Sequence, residues 1–411
     1  MPHVIVMVTS SYPRFPGDSV GTFMEPIARS IAARGHAVHV VAPWHPLVRR
    51  DAVEGNVQFH FYKYAPFRSL NVFGYASAMR ADVTLRGAAY VAAPLALAQG
   101  WRMARRVTRE QHATIVHAHW VIPGGVTGWL AAPDLPLVVS LHGSDVFVAE
   151  TLTPARIVAR RVFGHAGAVM ACSQDLAERA IRLGADASRI EVVPYGVDAE
   201  RFRPNRADRG AIRSAVGVGA DDLLVFAAGR LVSKKGFEYL IDATLTLPER
   251  VRAVVAIGGA GDLETELRDR AAAAGHARIK FLGNLTQDQV ADYLAAADVA
   301  VVPSVRDEAG NVDGLPNVVL EALAAGVPLI TTAAGGIGTV VTHEETAIVV
   351  PERDAGAICR AIVSLANAVE QRRRLGAQAR AMVQRQFSWD RTAERIENAY
   401  DRALALRYGG R

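Results

Sequence analysis

Cysteine is nearly absent from this 411-residue chain. There are two, Cys172 and Cys359, with no metal-ligand spacing. That excludes a disulfide scaffold and a cysteine-based zinc site, and it suits a reducing compartment such as the cytoplasm. Long hydrophobic runs are missing as well. No stretch reaches the roughly 18 apolar residues of a membrane span. The opening MPHVIVMVTSSYP has neither a basic n-region nor an h-region of signal length, and reads as a strand. Low-complexity segments are absent, and with 50% apolar and 21% charged residues the chain is globular rather than disordered. Nor is there much charge of one sign. The net charge is +5, and residues 1–200 hold 19 Lys and Arg against 15 acids and 10 of the 12 histidines. No zinc-finger or RNP pattern accompanies this excess, so nucleic acid is excluded as a partner. A phosphate-bearing ligand or an anionic membrane surface remains open.

What the chain does have is alternation. Apolar runs HVIVMVT (3–9), AVHVVA (37–42), TIVHAH (114–119), LVVSL (137–141), AVMAC (168–172) and IEVVP (190–194) are separated by helical patterns, the first from about Val20 to Arg34. Continuous Val/Ile runs between helices predict a parallel sheet buried on both faces. The polar stretch AERFRPNRADRG (199–210) breaks the pattern, which resumes with LLVFAAG (223–229), AVVAIGG (253–259), RIKFLG (278–283), DVAVVPS (298–304), PLITT (328–332) and AIVV (347–350). The expected architecture is α/β, with two doubly wound Rossmann-like domains at 1–198 and 199–386. A last amphipathic helix, 387–411, is expected to return to the first domain. The segment GAAYVAAPLALAQGW (87–101) contains Pro94 and is flanked by arginines at 80, 86, 102, 105, 106 and 109. It reads either as a buried core or cleft helix or as a membrane-contact helix with a basic rim.

Doubly wound sheets place their chemistry beyond the carboxyl ends of the strands, and two such domains place it in the cleft between them. After LLVFAAG, Arg230 and Lys235 lie five residues apart in a glycine-flanked loop that opens a helix, an arrangement suited to a diphosphate. After AVVAIGG, the turn GGAGDLETEL is either a tight turn or a phosphate loop, but it lacks the Lys and Ser/Thr of a Walker motif. After VVPS, Asp313 precedes a Gly-Leu-Pro turn, and Glu321 follows eight residues later in a helix that is apolar nearly all round. A carboxylate there needs a buried cation or hydroxyl donors such as those of a ribose. Pro316 suits the first helical turn, and the amides of Gly314, Leu315 and Asn317 converge on the same place. In the first half, LVVSL ends in His142-Gly143-Ser144-Asp145. His142 faces the cleft, whereas Asp145 is either a capping residue or a ligand contact. His117 and His119 share one side of a strand without a third ligand nearby, so no metal is expected. The turn PGDSVGTFM brings the Gly21 amide toward a phosphate or sugar.

Taken together, these motifs resemble the GT-B glycosyltransferases of family 4, the retaining, nucleotide-sugar-dependent type, and the resemblance runs in order over nearly the whole chain. The family's late signature of two Glu flanking Gly-Leu-Pro reads here as D-GLPNVVL-E. Its GR…KG pair matches Arg230 and Lys235, and its HG.D segment matches His142 and Asp145. Its N-terminal glycine loop matches Gly21, and SQDL…VVPYGVD is similar to the end of its first domain. The resemblance implies a hexosyltransferase-type enzyme with an acceptor-binding first domain and a donor-binding second. By the same resemblance, Arg230 and Lys235 neutralise the leaving diphosphate and Glu321 holds the ribose. Asp313 and His142 contact the transferred sugar, and the base lies near Asn284 and Leu285. Asp145 and His119 are further candidates for contact with acceptor or sugar. It implies no cofactor and no metal, the two cations doing that work. The donor would be UDP-, GDP- or ADP-linked, and the acceptor a glycan or lipid-linked saccharide of polysaccharide or surface-glycan synthesis. The place of work would be the cytoplasm or the inner face of the plasma membrane.

Three features depart from the family pattern. Asp313 stands where Glu is usual, the loop 305–314 is long and acidic, and Gly335-Gly336-Ile337-Gly338-Thr339 lacks the usual Pro and Glu. Two alternatives carry the same fold or ligand: a nucleotide-sugar 2-epimerase and a non-catalytic nucleotide-sugar-binding protein.

Overall fold

The computed structural model describes residues 2–18, 20–65, 67, 71, 79–80, 84–85, 87–272 and 278–409, with the backbone alone over 79–91. Arg86 and most residues between 66 and 83 lie outside the described residues. The chain divides into two compact units, Met1–Tyr195 with Trp389–Arg411, and Gly196–Ser388.

The first unit contains strands β1 (Val4–Val8), β2 (Ala37–Pro43), β3 (Val53–Glu54), β4 (Val57–Tyr62), β5 (Met79–Arg80), β6 (Thr84–Leu85), β7 (Ile115–His119), β8 (Leu137–Leu141), β9 (Ala166–Ala171) and β10 (Ile190–Val192). Its helices are α1 (Met24–Ala33), α2 (Gly87–Glu110), α3 (Val126–Ala131), α4 (Ser144–Thr151), α5 (Thr153–His165) and α6 (Gln174–Arg182). The main sheet runs β10-β9-β8-β7-β1-β2-β4-β3, parallel except for β3, while β5 and β6 form a separate hairpin. Strand residues such as Ile5, Val38, Val40 and Ile115 are fully buried because helices cover the sheet. Helix α1 buries Met24, Ile27, Ala28, Ile31 and Ala32, one apolar stripe at helical spacing. It starts at Met24 rather than Val20, because Gly21 adopts φ +65° and its carbonyl accepts from the Met24 amide in a preceding turn.

The second unit contains α7 (Arg209–Ala215), β11 (Leu223–Ala228), α8 (Phe237–Leu245), β12 (Ala253–Gly258), α9 (Glu264–Ala272), β13 (Ile279–Gly283), α10 (Gln287–Ala296), β14 (Val299–Val302), α11 (Asn317–Ala325), β15 (Leu329–Thr331), β16 (Ile348–Val349), α12 (Ala355–Asn367) and α13 (Val369–Gln386). Its sheet is wholly parallel in the order β13-β12-β11-β14-β15-β16. Helix α14 (Trp389–Tyr408) then adds Ala393, Ile396, Ala399, Tyr400 and Ala403 to the core of the first unit.

Both sheets reverse their order of addition at one point, between β1 and β7 in the first and between β11 and β14 in the second. Ligand sites in open α/β sheets lie outside the carboxyl ends of the strands at such a reversal.

Candidate active site

In the second unit the reversal brings the turn after β11 against the turn after β14. Lys234 and Lys235 sit in a short helical turn that ends at Gly236. Gly236 has φ +65°, and a Cβ there would lie 2.1 Å from the Pro303 carbonyl oxygen, so no other residue fits. The Val305 amide donates to the Lys234 carbonyl at 2.9 Å. These two contacts fasten the lysine turn to the end of β14. As a result Lys234 Nζ lies 3.1 Å from Asp313 Oδ1, and Lys235 Nζ lies 2.5 Å from Asp313 Oδ2. Burial pushes the Asp313 carboxyl up, but the two ammonium groups outweigh it and hold the group well below the usual carboxylate range. The Asp313 backbone is fixed from the other side by Gly335, where φ is +58° and a Cβ would lie 2.1 Å from the Asp313 carbonyl oxygen.

Glu321 lies in α11 among Val318, Val319, Leu320 and Leu323, and is 8% exposed. Burial pushes its carboxyl up to about 7, against the opposing charges of Arg201 and Lys235. Gln287 Nε2 approaches Glu321 Oε1 at 3.5 Å, and Gln287 Oε1 accepts from Arg201 Nη1 at 2.8 Å. A half-titrated carboxyl in an apolar helix suits an acceptor of neutral hydroxyl donors better than a permanent ion pair.

Arg230 is exposed at the end of β11, Asn284 is exposed after β13, and Leu285 packs its side chain over Gly258. Gly314 and Leu315 are buried, and Asn317 opens α11. Pro316 immediately precedes that helix rather than lying in its first turn. The GGAGD turn is hydrogen bonded to the Arg230 loop. Gly229 and Leu231 donate to the carbonyls of Gly258 and Ala260, and Leu263 donates to Leu231, each at 3.0 Å. This segment clasps the neighbouring loop, so the tight-turn reading fits it.

In the first unit, an aromatic cluster gathers the turns after β1, β7, β8 and β10. The ring of Phe23 lies 4.7 Å from His142, 4.8 Å from Tyr195 and 6.0 Å from Trp120. Phe23 follows Gly21 by two residues, which is how the glycine turn joins the cluster. His142 is bonded through both ring nitrogens, Nε2 to His119 Nδ1 at 3.0 Å and Nδ1 to the Tyr195 hydroxyl at 2.7 Å. Burial pushes its imidazole down to about 3, with His117 adding a smaller effect, so the ring is neutral at working pH. His119 is fully buried.

Asp145 is 3% exposed, and its carboxylate accepts from the amides of Val121, Gly143 and His142 at 2.7, 3.1 and 3.4 Å. Its oxygens are thereby committed to shaping the turns around His142, which suits a positioning role rather than ligand contact. His117 is engaged by the Tyr400 hydroxyl and Ser140 Oγ, both at 2.8 Å. Among the described residues no group of three or more His, Cys, Asp or Glu is placed to hold a metal ion.

Four residues in these constellations escape a reading of the sequence. Lys234 is 5% exposed, more buried than the Lys235 beside it, and a Lys-Lys pair gives no sign of which member turns inward. Arg201 and Gln287 reach Glu321 only through the fold. Tyr195 belongs to VVPYGVD, but its partner His142 lies 53 residues away.

The second unit's switch point pairs two lysines with a carboxylate beside a second buried carboxylate, an arrangement that suits a sugar-nucleotide-dependent transferase on two doubly wound units. Comparison with known proteins agrees. Residues 20–201 match the model of Glycosyltransferase Family 4, and residues 208–382 match that of Glycosyl transferases group 1. A D-inositol 3-phosphate glycosyltransferase of Xylanimonas cellulosilytica is 34% identical over 312 residues, covering 71% of this chain and 73% of that one. A putative teichuronic acid biosynthesis glycosyltransferase of Bacillus subtilis, TuaC, is 31% identical over 296 residues, covering 71% of each chain. The fold is that of Anabaena HepE, solved in complex with UDP and glucose, with a TM-score of 0.76 over 97% of this chain and 99% of that one at 20% identity. The chain belongs to glycosyltransferase family 4 and is a glycosyltransferase. The epimerase alternative finds no support, since these relatives are named as transferases.

Proposed function

We propose that this enzyme transfers a hexose, with retention of configuration, from a nucleotide-diphosphate donor to a glycan or lipid-linked acceptor in surface-glycan or polysaccharide synthesis. The observation that carries the donor assignment is the Lys234–Asp313–Lys235 cluster beside Glu321 at the switch point of the second unit. Glu321 accepts from the ribose hydroxyls, and Arg230 with Lys235 faces the diphosphate. Asp313 accepts from hydroxyls of the transferred sugar, His142 contacts that sugar, and Asn284 and Leu285 adjoin the base. The amides of Gly21, Gly314, Leu315 and Asn317 contribute donors to phosphate or sugar oxygens.

In the reaction the bond from the anomeric carbon to the diphosphate oxygen breaks. The acceptor oxygen bonds to the same face of the sugar, and its proton passes to the departing phosphate oxygen. Positive charge grows on the sugar and negative charge on the diphosphate. Cations fixed before the step favour that separation without reorganising. With lysine and arginine supplying the charge, we propose that no divalent ion is required, so a saturating chelator should leave the rate unchanged.

The surface-glycan assignment draws support from the relatives' printed names. A membrane-proximal acceptor would suit α2, whose solvent-facing Leu95 and Leu97 (43% and 38% exposed) precede Arg102, Arg105, Arg106 and Arg109. No described helix is long and apolar enough to cross a membrane. Salt-reversible sedimentation with anionic vesicles would test surface binding, and its absence would remove the membrane from the account.

The donor assignment is tested by a thermal-shift panel of UDP-, GDP- and ADP-linked sugars, followed by turnover of the stabilising donor. Lys235→Ala should lower kcat about 100-fold, as loss of a charge-stabilising donor does. An effect confined to KM would remove Lys235 from the transition state.

A further inference from the structure

His142 is held at both ring nitrogens, and the direction of those two hydrogen bonds can be worked out. Its neighbour His119 is fully buried, and its Nε2 has no hydrogen-bond partner among the described residues. His117, with a ring centroid 4.2 Å away, is already engaged by Tyr400 and Ser140. A neutral imidazole carries one N–H. Were that hydrogen on His119 Nε2, a buried donor would be orphaned, which folded proteins tolerate less readily than an under-used acceptor. The hydrogen therefore belongs on His119 Nδ1, which donates to His142 Nε2 at 3.0 Å. His142 Nε2 is then an acceptor, its hydrogen sits on Nδ1, and the Tyr195 oxygen receives it at 2.7 Å.

We infer that Tyr195 is a positioning residue that, together with His119, holds His142 in its Nδ1–H tautomer and fixes its ring plane. Tyr195 lies 6% exposed, stacked on Phe23 with an interplanar angle of 15°, so its hydroxyl is held rigidly. The His142 ring stacks nearly parallel on His119, at 9°. Resting on the proposed sugar-side role of His142, the assignment gives that residue a defined polarity. Its Nε2 is an acceptor already engaged by His119, its one hydrogen is committed to Tyr195, and the ring has no proton to give to the sugar.

The test uses the full chain with 15N-labelled histidine, His142 being assigned by loss of its signals in His142→Gln. Long-range 1H–15N correlations should show His142 protonated on Nδ1. Tyr195→Phe keeps the ring and its stacking but removes the acceptor. The two 15N resonances of His142 should move toward each other as the tautomers mix, and kcat should fall about tenfold with KM nearly unchanged. His119→Asn places an amide N–H where Nδ1 stood and should preserve the tautomer. His119→Leu removes the donor and should lose the tautomer. Equal near-UV circular dichroism identifies variants that fold. An Nε2–H tautomer in the parent, or an unmoved spectrum in Tyr195→Phe, would overturn the assignment. An Nδ1–H tautomer with unchanged kcat in Tyr195→Phe would overturn the positioning role. The spectra are read without turnover, so a failure of the proposed transfer reaction is seen separately.

Discussion

Asp313 occupies both lysines that stand nearest the proposed diphosphate. Its carboxylate is one methylene shorter than the Glu of the family pattern, and it meets Lys234 and Lys235 at hydrogen-bond distance with its ionised form strongly favoured. Asp313→Asn should free both ammonium groups. Binding of the bare nucleoside diphosphate should be as tight or tighter, by up to about tenfold, while turnover collapses because a weaker neutral amide replaces the ionised hydroxyl acceptor of the sugar. Titration calorimetry beside a transfer assay checks both, and weaker nucleotide binding would contradict the competition. Glu321 gives a pH signature. Its carboxyl titrates near 7 in the folded protein against an ordinary 4.5. Between those values the native state holds a proton that the unfolded chain has released, so this group's contribution to stability falls as pH rises through that window. Hydroxyl donors require the ionised form, so nucleotide binding should strengthen up to about pH 7, level off above it, and release a proton below it. In Glu321→Gln that component of the pH dependence should vanish and nucleotide binding should weaken at pH 8.

At the scale of elements, the loops at the strand ends hold these side chains through backbone contacts that only glycine permits. Gly335→Ala would place a methyl group against the Asp313 carbonyl at positive φ. It should cost at least about 2 kcal/mol in denaturant titrations and weaken donor binding as the Asp313 backbone shifts. The strands themselves were legible because parallel strands buried on both faces are continuous Val/Ile runs, and LVVSL at 137–141 is β8 to the residue. The hairpin of β3 and β4 carries a weaker signal. VEGNVQFHFY carries a Gly55-Asn56 turn and an alternating strand, but that strand is rich in Phe and His instead of Val and Ile, since it lies near the sheet edge. The candidate site was legible where a residue contradicts its surroundings, as Glu321 does in an apolar helix. It was not legible where function depends on a partner far along the chain. Nothing around Tyr195 points to His142, and nothing around Gln287 points to Glu321.

At the scale of the whole molecule, the last helix completes the first unit. Tyr400 is fully buried, and its hydroxyl is bonded to His117 on β7, 283 residues earlier. Tyr400→Phe should destabilise the protein by about 1–2 kcal/mol through the unpaired His117 nitrogen, as read by chemical denaturation. It should leave nucleotide binding unchanged, because the proposed diphosphate, ribose and base contacts Arg230, Lys235, Glu321, Asn284 and Leu285 belong to the other unit. The proposed division of labour puts the leaving-group chemistry into Gly196–Ser388 and makes cation charge, rather than a proton donor, the proposed driving force. The most direct test is to follow transfer from an α-linked nucleotide sugar by 1H NMR, with chelator present, in the parent and in Lys235→Ala. The account predicts an α-linked product, a chelator-insensitive rate, and a fall in kcat of about 100-fold without loss of donor binding. A β-linked product, or a parent enzyme silenced by chelator, would contradict it.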